Sequence, residues 1–405
     1  MREIILIQVS GNDRPGLTAA FTGILARYRL NVLDIGQAVI HDTLSLGILV
    51  ETPPDAESSS VLKDLLFEAH KLNINVRFRP IDEDRYEEWV AGQGKDRHII
   101  TLLARKITAE QLADVTTTVA DNGLNIDSIT RLSGRVHLEG EALNQDSRAC
   151  IEISVRGEPH DGEAMRAAFL SIANERNLDI AFQRDSAYRR NRRLVVFDMD
   201  STLIGQECID ELADFAGVKA HVSDITERAM RGELDFEAAL TERVGLLKGL
   251  PLSNLQTCFD ERIRLNDGAV TLAQTMKKHG ALTVIVSGGF TFFTSRVAKA
   301  TGFEHDQANT LIDDGKALTG GVGMPILGRE AKKSALMAHS KAFGGPETAI
   351  SIGDGANDLA MITASGLGIA YRAKPIVASA ANCAIDHADL TTALYFQGFR
   401  DDEFA

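Results

Sequence analysis

Three short segments of this 405-residue chain carry residues that share one chemistry. Asp198-Met199-Asp200-Ser201-Thr202 offers two carboxylates and two hydroxyls. Ser287-Gly288-Gly289 offers a hydroxyl beside two glycines, and Gly353-Asp354-Gly355-Ala356-Asn357-Asp358 adds two carboxylates and an amide. None of them contains His or Cys. Carboxylates alone suit a hard cation with oxygen ligands, Mg²⁺ above all. Without such an ion, acids held close together raise one another's pKa. Short glycine turns aim backbone N–H groups at an anion. A metal, an anion nest and a carboxylate able to attack together describe phosphoryl transfer to an aspartate.

The elements that would position these segments can be read from the runs before them. Leu194 to Phe197, Thr283 to Val286 and Ala349 to Ile352 are short apolar runs, and each leads directly into one of the three segments. Gly368 to Tyr371 is a fourth such run. From Arg193 onward these runs alternate with long amphipathic stretches, the pattern of a parallel sheet with helices on both faces. Ligands of such sheets lie outside the carboxyl ends of the strands, so the three segments are predicted to meet in one crevice. Residues 205 to 280 are strongly helical and too many for one crossover, which predicts an inserted cap. Within it, a helix opened by Asp235 carries the apolar stripe Phe236, Leu240, Val244 and Leu247, with Arg243 on the same side. An arginine there either snorkels to water or presents a planar fork to a carboxylate.

The front of the chain reads strand, helix, strand, strand, helix, strand, and then repeats. "LNVLDI" at 30–35 and "LNIDSI" at 124–129 occupy equivalent places, an internal duplication. The predicted domains are 1–81, 97–183 and 190–405, with the charged stretch 82–96 as a linker. Asn12-Asp13-Arg14-Pro15-Gly16 supplies helix-start chemistry, a capping side chain and an early proline. The cluster Arg189-Arg190 and Arg192-Arg193 is read as a solvated hinge.

Composition narrows the classes. Hydrophobic residues at 44% and charged residues at 25% exclude a disordered or fibrous chain. A net charge of −14 would repel nucleic acid, so no nucleic-acid partner is expected. No run reaches the roughly 18 apolar residues of a membrane helix, and Met1-Arg2-Glu3 leads into a run too short for a signal peptide. Four cysteines without CxxC spacing argue against a zinc site or a disulfide framework. A cytoplasmic protein without a membrane partner is expected.

In order along the chain, Asp198-Met199-Asp200-Ser201-Thr202, Ser287-Gly288-Gly289, a lysine near 332 and Gly353-Asp354-Gly355-Ala356-Asn357-Asp358 resemble the four motifs of the haloacid-dehalogenase-like phosphatases. The stretch from about 190 to 395 is most similar to the phosphoserine phosphatases among them, and the front half resembles two ACT domains. Together the resemblances span nearly the whole chain. They imply an α/β fold: a Rossmann-like parallel sheet with an inserted helical cap, preceded by two ferredoxin-like βαββαβ modules.

The resemblance also implies roles. Asp198 would be the nucleophile, and Asp200 would protonate the leaving oxygen and then activate water. Asp198, the Asp200 carbonyl and Asp354 would hold Mg²⁺, with Asp358 orienting groups from behind. Ser287, Gly288 and Asn357 would contact the phosphoryl group. Either Lys332 or Lys333 would neutralise charge, and spacing favours Lys332. Glu207 would receive the substrate ammonium and Arg243 its carboxylate, with Met230 and Phe236 packed beside them. The implied reaction is hydrolysis of O-phospho-L-serine to L-serine and phosphate, the last step of serine biosynthesis, in a homodimer. Asn12, Asp13 and Gly16 match the ACT ligand loop, with serine as the implied effector. The second copy, Lys106-Ile107-Thr108-Ala109-Glu110, departs from that pattern, and structural pairing is expected of it instead. A phosphatase or phosphotransferase of a related phosphoester such as phosphohomoserine stays open, as does an amino-acid-sensing regulatory protein. The intact Asp200 speaks against the latter.

Overall fold

The computed structural model describes residues 3–53, 58–92, 94–135, 148–230 and 233–405. It divides into two compact units, the first ending at Lys95 and the second starting at Asp96. In the first unit, β1 (Glu3–Asn12), β2 (Asn31–Ile40), β3 (Thr43–Thr52) and β4 (Asn75–Ile81) form an antiparallel sheet in the order β2-β3-β1-β4. Helices Leu17–Arg27 and Ser58–Lys71 cover one face. Alternation explains the arrangement: Ile5, Ile7 and Val9 of β1 and Leu44, Leu46, Ile48 and Val50 of β3 point into one core with Phe21, Leu25 and Leu65. Two local expectations fail here. Asn12 does not cap the first helix, because it still belongs to β1; the helix starts after Gly16, whose φ of 92° only glycine adopts freely. Residues 83–91 are not an extended linker but a helix, Glu83–Ala91, with Glu83 and Asp84 in its first turn, where they complement the helix dipole.

The second unit opens with a module of the same strand order: β5 (Arg97–Ala104), β6 (Asn125–Arg131), β7 (Ala149–Arg156) and β8 (Asp179–Arg184). The larger domain follows with β9 (Leu194–Phe197), β10 (Leu282–Phe290), β11 (His305–Asn309), the hairpin β12 (Leu311–Asp313) and β13 (Leu318–Val322), then β14 (Ala349–Gly353), β15 (Leu367–Tyr371) and β16 (Cys383–Ile385). β9 is central, parallel to both β10 and β14. Its apolar run is continuous because both faces are covered. Val195 and Phe197 pack into one core cluster, Leu194 and Val196 into another.

The two parts share a single sheet. β16 pairs with β8 at Cys383 and Ala181, giving ten strands in the order β11-β10-β9-β14-β15-β16-β8-β5-β7-β6. At the seam, the buried Asp179 carboxylate accepts the N–H groups of Asp386, His387 and Ala388 at 2.8, 3.1 and 2.9 Å. Two arginines of the cluster correct its reading as a solvated hinge, Arg189 at this seam and Arg192 inside the larger domain, whereas Arg190 and Arg193 stay exposed. Arg189 and Arg192 are buried. Arg189 reaches Glu152 on β7 and the Phe396 carbonyl, and Arg192 reaches the Glu347 and Gly366 carbonyls. Sequence could not show this, because these partners lie far along the chain.

The cap is also shorter than expected. An isolated bridge between Ile204 and Leu265 closes the insertion. Helices Cys208–Phe215, Lys219–Met230, Phe236–Gly245 and Leu252–Arg262 lie within it. Helix Ala269–Lys278 falls outside and is the crossover that delivers β10. Its helical pattern was legible, but only the bridge marks where the insertion ends. Among the described residues, no helix is long and apolar enough to cross a membrane.

Asp179→Ala should leave three half-buried N–H donors without their acceptor and lower stability by about 1–3 kcal/mol. The expected readout is a reduced urea midpoint for the full chain.

Candidate active site

The carboxyl end of β9 places the first acid. Asp198 follows Phe197 and is buried; its N–H donates to the Ile352 carbonyl of β14 at 2.9 Å. The chain then winds through a single wide turn, Met199–Leu203, in which Ser201 sits at φ 54°. That left-handed conformation is uncommon for serine. It directs the Ser201 hydroxyl to Glu207 at 2.7 Å. Asp200 is held from two sides: the Cys208 N–H donates to it at 2.9 Å and the Ser287 hydroxyl at 3.2 Å.

β14 brings the opposing acids. Asp354 accepts the Thr202 hydroxyl at 3.2 Å, and Asp358 accepts the Gly355 N–H at 3.0 Å. Lys332, from helix Arg329–Ser340, reaches Asp198 at 2.7 Å and Asp358 at 2.6 Å and is itself buried. Lys333 is exposed one residue later, so the geometry places Lys332, and not Lys333, in the site. Burial pulls the Lys332 ammonium down, but the charges of Asp198 and Asp358 outweigh it and hold the pKa above its ordinary value. Burial also raises Asp198 well above the usual carboxylate range; the Asp358 charge adds to this and Lys332 opposes it. Asp354 is pushed up to about 6, first by burial and then by Asp358.

Glycines here serve close approach. A Cβ on Gly289 would lie 2.5 Å from an Asp200 oxygen, and one on Gly353 would lie 2.4 Å from the Asp358 carboxyl carbon. Both are steric requirements of packing acids side by side.

These groups border a cavity of about 670 Å³, within the range of small-molecule sites. Asp198, Asp200, Asp354, Gly288 and Asn357 line its floor, and Glu207, Phe236 and Arg243 line the cap side. Ser287 and Lys332 stand behind the floor and act through Asp200 and Asp198. Met230 ends its helix, and its side chain lies outside the described residues. Arg243 donates to the Ala239 carbonyl at 3.2 Å and the Thr226 hydroxyl at 3.4 Å, with no carboxylate paired to it among the described residues. Burial lowers its pKa. The Glu207 side chain meets water from the cavity yet is surrounded by protein. That surrounding pushes its carboxyl up to about 7, with the Asp200 charge adding to it.

Carboxylate oxygens of Asp198, Asp354 and Asp358 lie within 4.8 Å of one another, a donor set that fits a hard divalent ion. Asp358 already accepts both Lys332 and Gly355, which suits it to holding the lysine rather than the metal.

Sequence reasoning missed several participants. Lys374 and Arg329 line the cavity, and Asn266 donates to the Thr202 carbonyl at 2.8 Å. Lys374 lies three residues past β15, so following every strand to its carboxyl end would have found it. Arg329 stands one helical turn before Lys332. Asn266 gave no signal, since its use depends on where the cap closes.

The comparisons with known proteins agree with this geometry. The haloacid dehalogenase-like hydrolase family matches residues 195–363, and ACT domain families match 3–79 and 96–183. A phosphoserine phosphatase of Streptomyces coelicolor is 37% identical over 402 residues, covering 98% of this chain and 93% of that protein. One of Mycobacterium tuberculosis is 36% identical, covering 97% and 93%. The chain belongs to the phosphoserine phosphatase family. It is an enzyme of the phosphoric monoester hydrolase class. Among solved structures, a haloacid dehalogenase family hydrolase from Salmonella enterica serovar Typhi is 28% identical with a TM-score of 0.63, covering 74% of this chain and 98% of that one. A probable phosphoserine phosphatase from Vibrio cholerae, also 28% identical, has a TM-score of 0.58, covering 76% and 87%. In this chain an acid after β9, a lysine from helix Arg329–Ser340 and the glycine pair of β10 converge.

Lys332→Ala should reduce kcat by about 100- to 1000-fold, the loss typical of one preorganised charge. Lys333→Ala should leave it unchanged. Steady-state phosphate release checks both.

Proposed function

We propose that this enzyme hydrolyses O-phospho-L-serine to L-serine and phosphate through a phosphoaspartyl intermediate on Asp198. The single observation that carries the substrate assignment is the cap-side pair, Glu207 and Arg243, opposite the acid floor in one cavity. A phosphorylated amino acid needs three recognition groups. The floor takes the phosphoryl group, Glu207 the ammonium, and the unpaired Arg243 fork the carboxylate. Phe236 packs against the segment around Gly288, where an added Cβ would meet its ring at 3.2 Å, and so sets the width between the two ends.

The residues can carry both half-reactions. An Asp198 oxygen forms the bond to phosphorus as the ester P–O bond breaks, and Asp200 gives a proton to the departing serine oxygen. Burial raises the pKa of Asp200, which favours the protonated acid needed at that step. Water then attacks phosphorus, Asp200 takes back a proton, and the bond to Asp198 breaks to release phosphate. Lys332 balances charge on Asp198 throughout. Asp198 and Asp354, with the Asp200 carbonyl, would hold Mg²⁺, which supplies charge neutralisation for the phosphoryl oxygens when bound.

The same reading assigns the enzyme to the last step of serine biosynthesis in the cytoplasm, where its four buried thiols remain free. It also takes the first module as a sensor of serine through Asn12, Asp13 and Gly16, which lie exposed at the start of helix Leu17–Arg27. Self-association fits the outer strand β2, an edge that exposes Val32, Ile35, Val39 and Ile40.

Arg243→Ala should raise KM for phosphoserine by about 10- to 100-fold, the effect of a lost charged hydrogen bond. It should leave p-nitrophenyl phosphate turnover nearly unchanged; equal loss on both would overturn the assignment. Glu207 must be ionised to receive an ammonium, and its carboxyl titrates near 7 rather than at its ordinary 4.5. KM should therefore rise as pH falls below about 7, because a proton then competes with the substrate ammonium. Glu207→Gln should flatten that profile, measured across pH 5.5 to 8.5 on both substrates.

A further inference from the structure

A second cavity, of about 550 Å³, lies between the second ACT module and the catalytic domain. One wall is the loop from β5 to helix Ala109–Asp121, carrying Arg105 and Lys106. This is the segment that departs from the ligand-loop pattern of the first module. The other wall belongs to the catalytic domain, with Asp267, Arg372 and His387.

The lining has the opposite sign to the chain as a whole. Four permanent cations, Arg105, Lys106, Arg148 and Arg372, face two carboxylates, Asp267 and Asp389, in a protein of net charge −14. Arg148 and Asp389 pair with each other at 2.6 Å, and the Thr391 N–H also donates to Asp389 at 2.9 Å. Among the described residues, no carboxylate lies within ion-pair distance of Arg105, Lys106 or Arg372. Arg372 is further constrained. It sits at φ 44°, a conformation non-glycine residues seldom adopt, with its N–H donating to the Ile385 carbonyl at 2.8 Å and its guanidinium 5.1 Å from the Tyr371 ring centre. Three cations that line one concavity with no carboxylate partner among the described residues repel each other and favour an anion between them.

The catalytic-domain wall continues into the catalytic centre at two places. Lys374, two residues after Arg372, lines the catalytic cavity, and its N–H points to the Asp354 carbonyl at 3.4 Å. Asn266, next to Asp267, donates to the Thr202 carbonyl from its side chain and to the Leu203 carbonyl from its backbone, both at 2.8 Å. An anion that draws Arg372 toward it acts on the segment that places Lys374.

We propose that this junction cavity binds a small dianion, a dicarboxylate or a phosphomonoester, and that its occupancy changes substrate affinity at the catalytic site. The coupling requires only that the Arg372–Lys374 segment hold the anion better in one of its positions than in another.

The test uses the full chain with two probes at constant ionic strength: succinate for a dicarboxylate and methylphosphonate for a phosphomonoester that cannot be hydrolysed. At 10 mM, at least one probe should raise Tm by roughly 2 °C or more. The doubly charge-reversed variant Arg105→Glu/Lys106→Glu should lose that shift while keeping wild-type kcat without the probe. The difference between wild type and variant removes any binding of methylphosphonate at the catalytic cavity, and the probe that prevails tells carboxylate from phosphoryl recognition. Two outcomes overturn the site: no shift with either probe, or equal shifts in wild type and variant. The effective probe should also change KM for phosphoserine at least about twofold in the wild type alone; a bound probe that leaves KM unmoved overturns the coupling. Binding is read from Tm without turnover, so this result stands apart from the substrate assignment.

Discussion

Everything in the catalytic domain depends on one buried ammonium. Lys332 stands between Asp198 and Asp358, touching both, with all three side chains withdrawn from water. Burial and the Asp358 charge raise the Asp198 carboxyl well above the usual carboxylate range. The lysine opposes that rise on the oxygen it touches. Its own helix, Arg329–Ser340, is long enough to reach in from outside the sheet while its apolar residues Ala335 and Leu336 pack against β9 and β10. The interaction is therefore a constraint on the fold as much as a feature of the site. Sheet, crossover and helix must all be in register before the charges cancel.

The cap supplies the second half of the problem, which is selectivity. In the proposed reaction the floor residues receive the phosphoryl group, whereas Glu207 and Arg243 belong to an insertion that closes at Ile204 and Leu265. Separating the two functions on two elements lets one scaffold keep its acid chemistry while the cap sets what is attached to the phosphate. The strained Ser201 joins them, since its backbone belongs to the nucleophile turn and its hydroxyl orients Glu207.

The second ACT module is built into the catalytic sheet rather than appended to it. β8 pairs with β16, Asp179 anchors three consecutive amides of the catalytic domain, and Arg189 bridges the seam from the Glu152 carboxylate on β7 to the Phe396 carbonyl. A shared sheet transmits displacement better than a flexible linker, because strands cannot slide without breaking ladder hydrogen bonds. The duplication thus yields two modules of one topology with different structural duties.

Much of the site was legible before any coordinates, for a physical reason. Catalytic groups on a parallel sheet must follow strand ends, so the apolar runs before Asp198, Ser287 and Asp354 announced their meeting. The succession of strands and helices along each module was equally legible from the spacing of apolar residues. Spacing favoured Lys332 over Lys333, but only the tertiary structure shows which of these adjacent helical residues, pointing about 100° apart, is buried against the acids. The cap boundary, the burial of Arg189 and Arg192, and the parts played by Lys374 and Asn266 likewise rest on contacts between residues remote in the chain. Local sequence determines period and the chemical type of each side chain. Which distant backbone group each side chain meets is decided only when the sheet closes.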